Sequence, residues 1–273
     1  MNKNGNKTNL MISITQANTE PWLSIWREGQ EKTWMKKYKN TANIVNCKSK
    51  TPPKLFAKFD FHHEKLRYHL KVGRYISIFD KILALFIPKK IPAYSYNKVK
   101  KILEVKSMSM YILTNRRNLS LFKFFIEETN CDFLFQTNTS SYVNCENLMQ
   151  LLNNFESETD LYAGYIVEPD SVRKFVSGAG RLMSRKTVEL ILKNYKKYPH
   201  DNLEDVSIGD FLRTHGVTPV ELPRLDIPSL EILNSISDKD LNTNFIYRCK
   251  SDTIPRKDVE IMLNLHDRLT KIY

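Results

Sequence analysis

The chain has 273 residues, of which 41% are hydrophobic and 11% aromatic, so it can bury a sizeable core and is not a disordered protein. Its formal net charge of +12 indicates an anionic partner (a nucleic acid, a phosphorylated ligand or an acidic membrane surface) or a Lys-rich composition inherited from an AT-rich genome. The four cysteines are scattered without a CxxC pair, which excludes a zinc ribbon and a disulfide framework and predicts a reducing compartment.

The first fifty residues predict a strand, a helix and a second strand. Residues 10–14, which are mostly apolar, predict a first strand, and residues 42–49 predict a second short strand. Between them we predict one amphipathic helix with Pro21 in its first turn. Its apolar positions are Trp22, Ile25, Trp26 and Trp34. This β-α-β order predicts an α/β fold in which at least some strands are parallel.

Residues 51–100 are irregular, basic and aromatic, and we predict that they form an insertion. Within them, residues 74–92 combine an apolar run with Arg and Lys residues, and the run is too short to span a bilayer. A helix of this composition can lie in a membrane interface. The other interpretation, which we slightly favour, is an ordinary buried helix that ends at Pro88.

The middle of the chain predicts a short strand from residue 102, a helix, a buried strand and a second helix. The first helix has its apolar stripe at Leu119, Phe122, Phe125 and Ile126. Residues 133–135 form an apolar run that ends abruptly in the polar stretch Gln136-Thr137-Asn138-Thr139-Ser140-Ser141. Ligands of open α/β sheets bind just beyond the carboxyl ends of strands, so this stretch is a candidate site. The second helix has its stripe at Leu148, Leu151 and Leu152.

Two further candidate places follow a predicted strand at residues 161–167. Residues 175–195 predict a strand, a turn, a second strand and a helix, and the turn is Ser177-Gly178-Ala179-Gly180. Glycines there permit either a sharp structural turn or the close approach of a ligand. Glu204 and Asp205 precede a helix that we expect to start near Ser207 and to stop at Gly216. These acids either complement the helix dipole or supply a general base.

Taken in order, these motifs resemble the β-1,3-glycosyltransferases of the galactosyltransferase and Fringe type, over about two fifths of the chain between residues 102 and 216. The family's Lys-Thr-Asp-Asp-Asp-Val-Phe-Val-Asn segment is similar in register to residues 136–144. Its Ser-Gly-Gly-Gly or Ser-Gly-Ala-Gly segment, followed by x-x-Ser-Arg, is similar to residues 177–185. Its acidic pair before Val-x-x-Gly is similar to residues 204–209, and its Tyr-x-x-Leu-x-x-Lys helix is similar to the helix at 111–128.

The resemblance implies a single GT-A-like α/β domain over residues 1–273, with a mixed, mostly parallel central sheet flanked by helices. It implies a nucleotide-sugar-binding half at residues 10–135, with the insertion at 51–100, and an acceptor and catalytic half at 136–273 that ends in a basic tail. The implied reaction is an inverting transfer from a nucleotide-sugar donor to a hydroxyl of a saccharide acceptor. The net charge of +12 and the apolar and basic segment at 74–92 extend this to an expected saccharide or lipid-linked saccharide acceptor in bacterial surface-polysaccharide or lipopolysaccharide synthesis.

The resemblance also implies roles for individual residues. Asp205 is the expected general base, with Glu204 as its neighbour and rival. A backbone wall against the donor sugar or the acceptor is expected from Ser177, Gly178, Ala179 and Gly180. Hydrogen bonds to ribose, sugar or phosphate oxygens of the donor are expected from Thr137, Asn138, Thr139 and Ser140.

The sequence departs from the family in the Asp-rich motif, which there holds a divalent cation, usually manganese. Asn138, Thr139 and Ser140 stand in that motif here, and neutral oxygens lose most of the Coulombic attraction to a dication. We therefore predict no tightly bound metal, with manganese or magnesium held at best mainly by the substrate's phosphates. Residues 244–258, the basic tail, also contain no His to match the family's His ligand. In place of a metal, the basic residues of this segment are expected to bind the diphosphate; they are Arg248, Lys250, Arg256 and Lys257. The alternative is a solvated basic tail.

Residues 1–10 lack an apolar signal core, and the chain has no run of about 18 apolar residues. We therefore expect a cytoplasmic enzyme, peripheral on an anionic inner membrane through residues 74–92. Two other classes stay open. One is a catalytically inactive GT-A-like domain that binds carbohydrate or serves as a scaffold. The other is a nucleic-acid-binding protein, which we do not expect, because the basic residues neither cluster on one helix nor match a nucleic-acid-binding motif.

Overall fold

The computed structural model describes residues 10–51, 90–108, 113–169, 173–200 and 203–272. Within these ranges, no helix is both long enough and apolar enough to cross a bilayer. The strands in them are β1 (Leu10–Gln16), β2 (Asn43–Lys50), β3 (Tyr94–Asn97), β4 (Ile102–Met108), β5 (Phe133–Asn138), β6 (Ser141–Val143), β7 (Tyr162–Val167), β8 (Phe175–Ser184), β9 (Val220–Glu221), β10 (Leu225–Asp226) and β11 (Ile246–Arg248).

The α-helices of the described ranges are α1 (Trp22–Ser24), α2 (Trp34–Tyr38), α3 (Thr114–Glu128), α4 (Cys145–Leu152), α5 (Arg185–Lys193), α6 (Glu204–Thr214), α7 (Leu230–Ser235), α8 (Asp238–Thr243) and α9 (Asp258–Ile272). A π-helical segment at Ile25–Gln30 follows α1, and a 3-10 turn at Tyr195–Lys197 follows α5.

The strands form two sheets, and the larger has the order β3-β4-β2-β1-β5-β8-β7-β9. Strands β4, β2, β1 and β5 are parallel to their neighbours in that run, whereas β8 is antiparallel to both β5 and β7. The smaller sheet has the order β10-β11-β6. This arrangement confirms the predicted α/β class with a mixed, mainly parallel central sheet flanked by helices, and it confirms the predicted parallel β-α-β start.

Alternate residues along the central strands enter two separate cores, one on each face of the sheet. On one face, Ile12 and Phe135 pack with Trp34, with the small sheet and with α9. On the other face, Met11 and Leu134 pack with α3, α5 and α6. The carboxyl ends of the parallel strands therefore meet at an edge between these two layers, where ligands of open α/β sheets bind.

The helix predicted from Pro21 onward is wrong in its continuity, because the chain makes three short segments there. Thr33 has φ −111° and ψ −115°, which lies outside the helical region and separates the π-helical segment from α2. A Cβ on Gly29 would lie 2.9 Å from Sδ of Met262, so the absence of a side chain at Gly29 lets α9 pack closely against the π-helical segment.

Two other boundaries differ from the predictions. Ser177, Gly178, Ala179 and Gly180 do not form a turn, because they lie inside the continuous ten-residue strand β8. Helix α6 begins at Glu204 instead of near Ser207, so both acids belong to its first turn. The predicted helix stop is confirmed: Gly216 has φ +78°, the left-handed conformation that commonly ends a helix.

The predicted insertion at 51–100 lies mostly outside the described residues, as does nearly all of the apolar and basic segment at 74–92. The described part of the insertion contains β3, which pairs antiparallel with β4 at the edge of the central sheet.

Candidate functional site

The polar stretch after β5 forms a tight connection to β6. Oδ1 of Asn138 accepts hydrogen bonds from the backbone N–H of Ser140, at 3.1 Å, and from the hydroxyl of Ser141, at 3.2 Å. This is an Asx-type turn, in which a side-chain oxygen takes the place of a backbone acceptor. Thr139 and Ser140 are buried, at 4% and 5% exposure, and Asn138 is half-buried.

The same stretch is fastened to β8 through the carbonyl oxygen of Ala179. That oxygen accepts hydrogen bonds from the hydroxyl of Thr137, at 2.7 Å, and from the hydroxyl of Ser141, at 2.8 Å. Thr137 is fully buried and its hydroxyl is engaged inside the protein, so a bound donor does not find it at the surface. Two of the predicted motifs, about 40 residues apart in sequence, therefore meet directly.

The glycines of β8 make room for close neighbours on either side of the strand. A Cβ on Gly178 would lie 2.7 Å from Oδ1 of Asp205, and a Cβ on Gly180 would lie 3.0 Å from Cγ1 of Ile246 in β11. Their role is therefore clearance between packed elements. Ser177 and Gly178 are half-buried whereas Ala179 and Gly180 are buried, so only the first half of the predicted wall reaches solvent.

Two carboxylates project from the first turn of α6 toward β8. Oδ2 of Asp205 accepts a 3.0 Å hydrogen bond from the backbone N–H of Gly178. Nη2 of Arg181 donates to Oε1 of Glu204 at 2.7 Å, and Nη1 of Arg181 donates to Oδ1 of Asp205 at 3.4 Å. The side chain of Arg181 is fully buried, that of Glu204 is 16% exposed and that of Asp205 is 32% exposed. Asp205 is thus the acid more open to a bound molecule.

The surroundings raise the pKa of the Asp205 carboxyl from its ordinary value to about 6. Burial is the largest cause, because it disfavours the charged form, and the neighbouring Glu204 carboxylate acts in the same direction. Arg181 and the N–H of Gly178 lower the pKa and offset part of this effect. A carboxylate with a pKa of about 6 is ionised at neutral pH and is a stronger base than an ordinary Asp, as general-base catalysis requires.

Gln136 and Arg181 complete this network; Gln136 belongs to the predicted polar stretch but had no predicted role of its own, and Arg181 was not predicted as a site residue. They are direct partners in the β5–β8 register, and Nη2 of Arg181 donates to Oε1 of Gln136 at 2.6 Å. The amide of Gln136 donates in turn to Asn118 of α3, at 2.8 Å, and to Thr15 of β1, at 3.3 Å. The available signal was a lone Arg in an otherwise uncharged strand, with two acids 23 and 24 residues further along.

The predicted basic tail reaches the same edge of the sheet. Strand β11 pairs antiparallel with β6, so that Arg248 lies opposite Ser141. Nη2 of Arg256 donates a 3.0 Å hydrogen bond to the hydroxyl of Ser140. The guanidinium of Arg256 also lies 4.3 Å from the ring centroid of Trp22 and forms an ion pair with Asp258. The tail is therefore built into the site, although Lys250 and Lys257 keep exposed positions.

Positive charge is crowded in this region. Lys250 is exposed as a whole residue, yet partial desolvation by the surrounding protein is the first cause that lowers its pKa, and Arg248 and Arg256 lower it further against Asp252 and Asp258. The pKa of Arg248 is likewise lowered by burial and by Arg224. Asp226 holds Arg224 in a bidentate fork at 2.6 and 2.8 Å and lies 3.6 Å from Arg248. The cations Arg224, Arg248, Lys250 and Arg256 therefore outnumber the acids Asp226, Asp252 and Asp258 here, an excess of positive charge that suits an anion.

The residues at the predicted metal position do not fit a divalent cation. Oδ1 of Asn138 is already used by two donors of its own turn, and neighbouring Thr139 and Ser140 carry no carboxylate. Across the described ranges, no three His, Cys, Asp or Glu side chains converge as metal ligands would. Hard cations prefer carboxylate oxygens, and this turn offers only amide, hydroxyl and backbone oxygens.

No protein-family model matches this chain, and no curated protein matches it. Among solved structures, it is similar to a glycosyltransferase involved in the glycosylation of the major capsid of PBCV-1, at 8% identity and a TM-score of 0.45, over 93% of this chain and 98% of the other. It is also similar to the galactosyltransferase LgtC in complex with donor and acceptor sugar analogs, at 8% identity and a TM-score of 0.45, over 94% of this chain and 95% of the other. At these values, nothing about the activity of this chain follows from either likeness.

Proposed function

We propose that this protein is a nucleotide-sugar-dependent glycosyltransferase with a GT-A-like domain. The observation that carries the proposal is the convergence of the three motifs behind the family resemblance. The polar turn after β5 is bonded to Ala179, Gly178 is bonded to Asp205, and Arg181 joins Gln136 to Glu204. Segments spread over about 70 residues thus meet at the carboxyl edge of the sheet, where open α/β sheets bind ligands.

Asp205 is the proposed general base. As the hydroxyl oxygen of the acceptor forms a bond to the anomeric carbon, its proton passes to the Asp205 carboxylate and the bond from that carbon to the diphosphate oxygen breaks. The electron pair leaves with the nucleoside diphosphate. Attack in line with the departing group inverts the anomeric configuration. Glu204 is the less suitable base because it is less exposed and forms the shorter hydrogen bond to Arg181.

The cations of β11 and the following loop are proposed to bind the diphosphate. Arg248 lies opposite Ser141 in the β11–β6 pair, and Lys250 follows it by two residues, so both lie beside the polar turn. Arg224, Arg248, Lys250 and Arg256 outnumber their acidic neighbours Asp226, Asp252 and Asp258 in this region. Preorganised cations stabilise charge that develops on a leaving group, which is the task of the metal in related chemistry. Arg256 supports the same turn through Ser140.

The donor sugar and ribose are proposed to lie against the rim of the polar turn and the first half of the glycine segment. Asn138 is half-buried there, with Thr139 and Ser140 beneath it, and Ser177 and Gly178 reach solvent on the neighbouring strand. Ala179, Gly180 and Thr137 would then act from inside, by holding this surface in place.

The proposed acceptor is a saccharide or a lipid-linked saccharide of bacterial surface-polysaccharide or lipopolysaccharide synthesis. The net charge of +12 supports work close to an anionic membrane surface. Cys47, Cys131, Cys145 and Cys249 are all free and buried, which supports a reducing compartment such as the cytoplasm. The proposed binding of residues 74–92 to an anionic membrane surface is tested by flotation with anionic vesicles.

The proposal is tested by a screen of nucleotide-sugars with saccharide acceptors, in which release of nucleoside diphosphate and transfer of the sugar are both measured. Release from at least one donor is the expected result. Binding of a nucleotide-sugar or saccharide without release would favour the catalytically inactive carbohydrate-binding alternative. Absence of both binding and release across the panel would contradict the proposal.

A further inference from the structure

We propose that Arg181 is a positioning residue, whose buried guanidinium keeps the Asp205 carboxylate ionised and correctly oriented by balancing the Glu204–Asp205 pair. The inference rests on the proposed function in one respect, namely that Asp205 is the base. The effect of Arg181 on the titration of the Asp205 carboxyl can be measured without a donor, an acceptor or turnover.

The guanidinium of Arg181 links strand β5 to the first turn of helix α6. The residue projects from β8 and its side chain has no exposed surface. Nη2 donates to both Gln136 and Glu204, at 2.6 and 2.7 Å, while Nη1 donates to Asp205 at 3.4 Å. A fully buried cation is costly unless carboxylates and hydrogen bonds surround it, and here both kinds of partner are present. The pair of acids and the arginine therefore form one unit.

Glu204 and Asp205 differ in their hydrogen bonds and in their exposure to solvent. Glu204 receives the short hydrogen bond and is the more buried acid, so it neutralises Arg181. Asp205 receives the longer bond from Arg181 on Oδ1 and the Gly178 N–H on Oδ2. Both of its oxygens are thus oriented from the protein side, while about a third of the side chain remains open to a ligand. Loss of Arg181 would leave two adjacent carboxylates without the cation that separates their charges.

The other titratable groups around the pair do not replace Arg181. Tyr162 of β7 and Tyr198 lie close to both acids, and burial raises the pKa of each phenol, so both stay neutral at ordinary pH. On the side of β2, Cys47 lies near Glu204 and Arg117, and burial raises the pKa of its thiol to about 12. Arg117 donates to the carbonyl of Gln16 at 3.3 Å and has no hydrogen bond to either acid among the described residues.

The register between β5 and β8 allows a variant in which the positive charge moves from residue 181 to residue 136. Residues 136 and 181 are directly opposed in the antiparallel β5–β8 pair, so their side chains extend from neighbouring positions on one face. A double variant, Gln136→Lys with Arg181→Gln, exchanges a cation and an amide between these two positions. It keeps the net charge of the network and alters its hydrogen-bond geometry.

The test is a carbon-13 NMR titration of side-chain carboxyls in the full chain, with the Asp205 signal assigned through Asp205→Asn. In Arg181→Gln, the Asp205 midpoint is expected to rise by about one pH unit or more, because an opposite charge at this range lowers a carboxyl pKa by roughly 1 to 3. In Glu204→Gln it is expected to fall, because a like charge is lost. The exchange variant is expected to restore a midpoint near that of the wild type.

An Asp205 midpoint that stays at the wild-type value in folded Arg181→Gln would overturn the proposal, as would a midpoint that does not fall in Glu204→Gln. Should Arg181→Gln fail to fold, the double variant Arg181→Gln with Glu204→Gln, which buries no unpaired charge between these two residues, is compared with Glu204→Gln: a higher Asp205 midpoint in the double variant supports the proposal, and equal midpoints contradict it. Shifts in the expected directions without any glycosyl transfer would reject the proposed function and leave the role of Arg181 intact. Transfer without shifts would do the reverse.

Discussion

The backbone N–H of Gly178 donates a 3.0 Å hydrogen bond to Oδ2 of Asp205, which lies 27 residues further along the chain. The two residues are also in close steric contact, since a Cβ on Gly178 would lie 2.7 Å from Oδ1 of the same carboxylate. The orientation of the proposed base is therefore set by the main chain of a central strand. A helix N-terminus alone would leave such a side chain free to rotate.

Gly178→Ala is expected to lower kcat more strongly than it weakens donor binding, because the added methyl group displaces the Asp205 carboxylate and only borders the proposed donor surface. A misplacement of about 1 Å at a reacting group can cost on the order of 100-fold in rate. Steady-state kinetics and direct donor titration measure the two quantities separately. Gly216→Ala is the matched control: it is strained at φ +78° but meets nothing within 4 Å, so it costs stability without touching the site. Equal losses of kcat in the two variants would contradict the steric account.

Asp205→Asn is expected to reduce turnover by about 100- to 10,000-fold, the usual contribution of a general base, because the amide cannot accept the proton of the acceptor hydroxyl. The nearly isosteric amide can keep the hydrogen bond from Gly178, so binding of the donor should persist. Glu204→Gln, which changes the acid beside it, is the control and should have the smaller effect on turnover at neutral pH. Full turnover in Asp205→Asn with loss in Glu204→Gln would move the base by one residue.

The pH dependence of kcat/KM is expected to follow the Asp205 carboxyl, whose pKa is raised to about 6 by burial and by Glu204. The base must be ionised to act, so activity is lost as pH falls through that value and reaches a plateau above it. A rate profile of the wild type between about pH 4.5 and 8 measures the midpoint. A midpoint near the ordinary value for Asp, or activity that increases toward acid pH, would be incompatible with this assignment.

The anomeric configuration of the product is expected to be opposite to that of the donor, because one in-line displacement inverts the carbon that is attacked. Proton NMR of the first product formed, recorded before anomers can interconvert, gives the answer directly. Retention of configuration would exclude Asp205 as a base in a single displacement, even if the protein transfers sugar.

The elements of this fold were predictable where local apolar patterns decide them. The stripe at Leu119, Phe122, Phe125 and Ile126 predicted α3, and the apolar run at residues 133–135 predicted β5. The Ser177–Gly180 stretch was not predictable, because glycine that permits a turn and glycine that gives clearance look alike in sequence. The clearance is dictated by Asp205 and Ile246, which are distant in the chain.

The site was only partly predictable, because some of its residues form local motifs and others depend on pairing between strands. Glu204 and Asp205 were evident as an acidic pair at a helix start, and the structure joins them to the glycine segment. The buried pair of Gln136 and Arg181 was missed because it depends on the register between β5 and β8. That register is set by pairing across the sheet, and a single sequence does not contain it.

The central claim is that a nucleoside diphosphate binds beside the polar turn and that protein cations, in place of a metal, hold it. The decisive measurement is calorimetric titration of the wild type and of an Arg248→Ala, Lys250→Ala double variant with a panel of uridine, guanosine, cytidine and thymidine diphosphates. Each titration is run with chelator and again with manganese. The double variant Lys98→Ala, Lys100→Ala is the control, because it removes two exposed cations from the turn between β3 and β4 and so changes net charge equally.

At least one nucleoside diphosphate should bind the wild type and the control equally well in the presence of chelator. Its affinity should be about 10- to 100-fold weaker for the Arg248→Ala, Lys250→Ala variant, because hydrogen bonds to charged groups contribute roughly 1.5 to 3 kcal/mol each and partial exposure reduces that value. Binding that requires manganese, or an affinity equal to that of the wild type in the Arg248→Ala, Lys250→Ala variant, would contradict the account.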